Sequence, residues 1–391
     1  MNITFLLGNG FDMNFGLKTS YKSFYNYLKK SKIRNKLIEN ILSDTECELW
    51  SDLELGLGNY LSNINTESEI EDFLNEKETV EDLLVDYLTL ENDKFEITDE
   101  EAISKAFNQN VVNFHKRFNR KEKKHYEYIL SNCEQLEYRF ITYNYTDIID
   151  TIISSVFNQF NTFSKHKYHG TLAREDILCN ALHIHGTLDE GIVLALNDTS
   201  QINNEKLQNN LDLKRFMIKS QINEEDGNFL TDDALRIINN SLYICIFGMS
   251  IGDTDNMWWQ AIIKWLLQDP DRRIVFFVKD NTEIAKSKAA KMKFNRDKRK
   301  ILSQHSVELS NEDYERIESQ VIVILNSDIF DLEGYQIKEP VNENNSFTNQ
   351  LFDPSLLQEM NTSALSVVGK EIGKIDFSNT IKEIIDSKMP K

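Results

Sequence analysis

Strand-type runs recur along the chain at Ile3–Leu7, Arg139–Tyr143, Ala181–His185, Ile192–Leu196, Leu242–Phe247, Ile274–Val278 and Val321–Leu325. Several, such as LYICIF and IVFFV, are apolar without interruption. A strand wetted on one face alternates polar and apolar residues, whereas one covered on both faces need not, so these runs predict buried parallel strands. The segments between them carry helix-period patterns such as IEDFLNEKETVEDLLVDYLTL. The predicted class is α/β: a doubly wound, mostly parallel, Rossmann-like sheet with large helical insertions.

Spacing separates sheet from insertion. The interval between the first two runs is far too long for one crossover helix, so residues 21–130 are predicted as a helical insertion, with 21–42 (YKSFYNYLKKSKIRNKLIENIL) helical. A shorter insertion, 201–239, carries RFMIKSQI and DDALRIINN. Residues 1–335 read as one composite domain, and 336–391 as a polar, Asn-rich tail with a helical segment near 379–387.

Composition narrows the classes. At 391 residues, 40% hydrophobic and 10% aromatic, the chain has enough apolar material for a large core. A net charge of −19 counts against general nucleic-acid binding, which rests on neutralising phosphates. The basic run Lys286–Lys300 (KSKAAKMKFNRDKRK) stands out; it reads as a solvated helix face, with docking to an acidic partner, an oligomer mate or a nucleic-acid trigger as the alternative. Cys47, Cys133, Cys179 and Cys245 are scattered without a C-x-x-C pair, so no zinc site of the four-cysteine type is expected and a reducing compartment fits. No basic leader and no run of ~18 apolar residues are present, which predicts a cytoplasmic protein without a membrane span.

The candidate chemistry sits where the strand runs end. In doubly wound sheets ligands bind beyond the carboxyl ends of strands, near the point where strand order reverses. After the first run come Gly8, Asn9, Gly10, Phe11 and Asp12; after the second, Asn144, Tyr145, Thr146 and Asp147; then His185 and Gly186; then Asn197 and Asp198; then Gly248, Met249 and Ser250, followed by Asp253 and Asp255. Glycine lets a backbone turn tightly and approach a ligand, and a following helix would turn its free N–H groups towards a phosphate. Gly8-x-Gly10 is only part of a G-x-G-x-x-G fingerprint, since position 13 is Met, and helix is predicted where a dinucleotide fold would place its second strand. Gly16-Leu17-Lys18-Thr19 fails as a phosphate loop because Leu17 separates glycine from lysine.

Taken in order, GNGFD, Trp50–Glu54 (WSDLE), YNYTD, HIHGTL, LALND, FGMSIGDTD and ILNSDIF resemble the bacterial abortive-infection AbiH family of phage-defence proteins, over roughly residues 1–335. That family is similar to sirtuin-like NAD-consuming domains, which lack the sirtuin zinc module in defence systems. The resemblance implies an NAD glycohydrolase with Asn144 and His185 at the nicotinamide ribose. It places Gly8, Asn9, Gly10, Phe11 and Asp12 over the phosphates or nicotinamide ribose, with Tyr145 and Gly186 beside them. Gly248, Ser250 and Asp255 would hold phosphate and adenosine ribose. Cleavage of the N-ribosyl bond passes through an oxocarbenium-like state, for which Asn144 would orient a hydroxyl and water and His185 would take the proton.

Each residue has a plainer reading. Asn144 can cap a helix starting near Asp147, and Asp253 or Asp255 can cap the helix carrying Trp258 and Trp259. His183 and His185 share a strand face in this reading and can pair on a metal. His169-Gly170 duplicates His185-Gly186, but only the latter follows an apolar run. Phe11 stands where sirtuin turns have small residues and would partly fill the nicotinamide pocket. Two further functions remain open: a nucleotide-binding sensor without turnover, and a Mg²⁺-dependent nuclease using Asp12, Asp147, Asp198 and Asp255. Expected partners are a nucleotide substrate, with a phage-derived trigger and a homo-oligomer compatible with the family.

Overall fold

The computed structural model describes residues 1–46, 53–131, 133–159, 164–168, 172–225, 227, 229–251, 256–279, 292–293, 296, 309–325 and 327–339. Asp253, Asp255, the His169-Gly170 pair, most of Lys286–Lys300 and the tail from Pro340, including the predicted terminal helix, lie outside the described residues.

The strands are β1 (Asn2–Leu7), β2 (Phe95–Ile97), β3 (Gln135–Thr142), β4 (Ser164–Tyr168), β5 (Leu172–His183) and β6 (Gly186–Thr187). They continue with β7 (Gly191–Ile192), β8 (Ser241–Phe247), β9 (Arg273–Val278), β10 (Val321–Leu325) and β11 (Tyr335–Ile337). The main sheet has the order β10-β9-β8-β1-β3-β5-β4. Every neighbouring pair is parallel except β4, which runs antiparallel to β5 at one edge. From β1 the chain builds outward through β3 and β5, then returns to the other side of β1 with β8, β9 and β10. This is the doubly wound order, and the reversal falls between β1 and β8.

The apolar runs are explained by cover on both faces. Ile3, Phe5 and Leu7 of β1 enter a core with Phe107, Phe114, Phe140 and Phe330, while Leu6 enters another with Ile141, Ile246, Trp259 and Trp265. A third core lies away from the sheet and joins the two predicted insertions. Phe24, Leu28, Leu57, Leu84 and Leu88 come from the first, and Leu213 and Met217 from the second. Its longest helix, Glu67–Asn92, starts at a capping box in which Thr66 and Glu69 satisfy one another's main-chain N–H groups.

Two expectations are corrected. The segment 21–42 is not one helix: it breaks between Tyr21–Lys30 and Lys36–Glu46, where Ser31 turns to an extended conformation. The Arg34 guanidinium then donates to the carbonyls of Leu28, Lys29 and Ser31, stabilising the break. The run Ile192–Leu196 does not join the main sheet. Only Ile192 is in a strand, β7, which pairs with β6, whereas Leu194 and Leu196 are buried in the insertion core. Their apolar character is satisfied by helices, which a short run cannot distinguish from a sheet.

Candidate functional site

The reversal point is built by two glycine turns pressed together. Gly8 N–H donates to the Phe247 carbonyl at 3.1 Å and Gly10 N–H to the Gly248 carbonyl at 2.8 Å. A Cβ on Gly10 would lie 2.5 Å from Gly248 Cα, and one on Gly248, whose φ is +70°, would lie 2.3 Å from Phe11 N. Glycine is needed here first so that two main chains can touch. A cavity of about 350 Å³ opens over this junction at the carboxyl ends of β1, β3 and β8. Gly8, Asn9, Asp12, Asn144, Tyr145, His185, Gly248 and Ser250, eight of the twelve residues given a binding or catalytic role in the sequence, line it.

Gly10, Phe11 and Gly186 do not. Gly10 belongs to the turn contact, and Gly186 opens β6, paired with Ile192. Phe11 is 1% exposed and turns into the core, edge-on to Phe15 and Phe330 at 5.1 and 5.0 Å, so it does not fill the pocket. The helix after the turn, Gly10–Asn14, is only five residues long. Thr19, Ser20, Tyr21 and Lys22, at the start of helix Tyr21–Lys30, line the cavity as well. Asn9 links the first glycine turn to this segment by donating to the Thr19 carbonyl at 3.2 Å and accepting from the Thr19 hydroxyl.

Asn144 is not a helix cap. Its Nδ2 donates to Asp12 Oδ1 at 2.7 Å and to the Gly8 carbonyl at 3.3 Å, tying the loop after β3 to the first glycine turn. Thr146 Oγ1 donates to Asp12 Oδ2 at 2.6 Å, so both carboxylate oxygens are engaged. Burial pushes the Asp12 carboxyl up to about 7, against the lowering effect of the Thr146 and Asn144 hydrogen bonds and of the His183 charge; Asp147 adds to the rise.

His185 meets a buried ion pair. Lys219 Nζ lies 2.7 Å from Glu54 Oε2 and 3.1 Å from His185 Nε2. An ammonium only donates, so Nε2 accepts and the ring proton sits on Nδ1. Burial, then the Lys219 charge, hold the imidazole well below its ordinary 6.5 despite a hydrogen bond to the Tyr143 main chain, so the ring is neutral. His183, expected on the same face, goes elsewhere: β5 ends there, and its ring bonds Asp150 Oδ2 at 2.6 Å and the Asn144 carbonyl at 3.0 Å. Burial disfavours the charged ring of His183, but Asp150 and the Asn144 carbonyl outweigh it and the net shift is upward. The two histidines therefore have separate partners and form no metal pair.

Of the four aspartates of the nuclease reading, Asp255 lies outside the described residues. Asp12 is spent on Asn144 and Thr146, Asp147 is exposed, and Asp198 caps the short turn Thr199–Gln201. Among the described residues no three His, Cys, Asp or Glu side chains are placed to hold a metal ion.

Glu54, Thr146 and Lys219 lie inside the segments WSDLE, YNYTD and RFMIKSQI, whose patterns assign none of them a role. Nothing in RFMIKSQI distinguishes that lysine from a solvated one; its main chain is anchored where Lys219 N–H meets the Leu196 carbonyl at 2.9 Å. No helix among the described residues is long and apolar enough to cross a membrane.

No curated protein matches the chain. A family model described as bacteriophage abortive infection AbiH matches residues 4–278, well over half of the chain and a span that includes every strand end lining the cavity, so the chain belongs to the AbiH family.

Proposed function

We propose that this AbiH-family protein acts in anti-phage abortive infection by cleaving NAD to nicotinamide and ADP-ribose at the cavity, through a sirtuin-like site. The observation that carries this reading is the convergence of Asn144, His185 and the Gly8 turn on one cavity at the switch point. Cleavage breaks the C1′–N bond with its electron pair going to nicotinamide, which leaves neutral and needs little acid help. Asn144 Oδ1 accepts from a ribose hydroxyl, and water bonds C1′ on the vacated face. The water proton passes to His185 Nε2, which is neutral as a base must be. Lys219 occupies that nitrogen in the present arrangement, so substrate binding has to move the ammonium aside; Glu54 remains as its partner. Lys22, on the cavity wall, supplies positive charge for the diphosphate.

The Lys219 contact also favours a second reading, a nucleotide-binding sensor that does not turn over because its base stays occupied. Purified protein incubated with NAD, with and without phage lysate, separates the two. The catalytic reading expects nicotinamide release that is abolished in Asn144→Ala and His185→Ala. Saturable NAD binding with no release under either condition selects the sensor, and release unaffected by both substitutions rejects the site.

A further inference from the structure

Asn144 is central to the proposed reaction, and its surroundings decide which amide atom meets the ligand. Its Nδ2 faces a carbonyl oxygen, Gly8 O at 3.3 Å, and a carboxylate oxygen, Asp12 Oδ1 at 2.7 Å. Asp12 provides the shorter and charge-assisted contact, hence the stronger one. While both partners only accept, the nitrogen must face them and Oδ1 is left for a donor. Asp12 itself is 1% exposed, and its second oxygen is held by Thr146 at 2.6 Å, so it is fixed rather than offered to a substrate.

We infer that Asp12 is a positioning residue: its ionised carboxylate locks the Asn144 amide with Oδ1 towards the cavity, so that the site accepts a hydroxyl or water donor only while Asp12 carries its charge. The inference takes its substrate from the NAD-cleaving reading, but its geometry from these hydrogen bonds alone. A protonated Asp12 can donate its O–H to Asn144 Oδ1 and turn the amide over, at the cost of the longer and weaker Gly8 carbonyl contact. Both forms are accessible near neutrality, since burial brings the carboxyl up to about 7. The titratable groups bearing on Asp12 are Asp147, beyond β3, and His183, at the end of β5. His183 is in turn paired with Asp150 of helix Ile148–Gln159.

The test follows the Asn144 side-chain NH₂ resonance in asparagine-labelled full chain, identified by its loss in Asn144→Ala. In the wild type it should shift with a midpoint near pH 7, and in Asp12→Asn the shift should vanish. Thr146→Val, which removes a hydrogen bond that favours the charged form, should move the midpoint about one pH unit higher. The kcat/KM for nicotinamide release should rise through the same midpoint and move with it. A resonance that does not titrate overturns the inference, as does a shift that survives Asp12→Asn, which would report His183. So does release whose pH profile ignores Thr146→Val. Should Thr146→Val not fold, the wild type against Asp12→Asn decides alone. A titrating Asn144 with no nicotinamide release refutes the NAD reading and leaves the positioning role standing.

Discussion

Asp12→Asn keeps the shape of the side chain and removes the charge that its surroundings oppose, so its effect on stability is calculable. In the folded chain the Asp12 carboxyl titrates at about 7, against an ordinary value of 3.8. Between those values the native protein holds a proton that the unfolded chain has released. Stability therefore falls as pH rises through this window and levels off above it. At 1.36 kcal/mol per pH unit the whole window is about 4 kcal/mol, of which about 2 kcal/mol lies above pH 5.5. Asparagine lacks this dependence, and the other titrating groups are common to both chains. The variant should thus gain about 2 kcal/mol on the wild type between pH 5.5 and pH 8.5, while losing nicotinamide release throughout. Urea unfolding at the two pH values, followed by fluorescence and by circular dichroism to check two-state behaviour, measures the gap. Curves for wild type and variant that keep a constant separation would show that burial does not oppose the Asp12 charge, and the electrostatic account of the site would fall with it.

Two further outcomes follow from the packing. Lys219→Met leaves Glu54 buried without its cation and should cost about 3–5 kcal/mol in urea unfolding, with partial recovery in Lys219→Met/Glu54→Gln; by NMR, His185 should protonate at a higher pH once the ammonium is gone. Gly248→Ala forces a side chain into a left-handed conformation against the Phe11 main chain and should destabilise by about 2 kcal/mol or more, read as a lowered Tm.

What could be read in advance differs from residue to residue for physical reasons. β8 and β9 begin one residue before the runs predicted for them, because strands covered on both faces favour unbroken apolar residues, and the edge strand β10 spans its predicted run, Val321–Leu325, with only Val321 and Ile322 buried. Ile192–Leu196 satisfies the same rule for another cause, burial under helices, and so misled. That Asn144 and His185 line one cavity was legible because each lies at the end of a strand run, and parallel strands deliver their ends to one edge. Phe11 was not: its neighbours in sequence turn towards the cavity, but the short helix rotates its ring into the core beside Phe330.

Local periodicity and turn chemistry, which act between near neighbours, were enough to indicate the doubly wound class, the sheet edge over which the cavity opens and the side chains available there. The tertiary structure alone decided which atoms are committed. Glu54 and Lys219 lie 165 positions apart and Asn144 lies 132 positions from Asp12, and only the packing of the insertions and the switch point brings them into hydrogen-bond contact. The protonation of Asp12 and His185 likewise depends on burial and on charges supplied by distant elements, which no local pattern encodes.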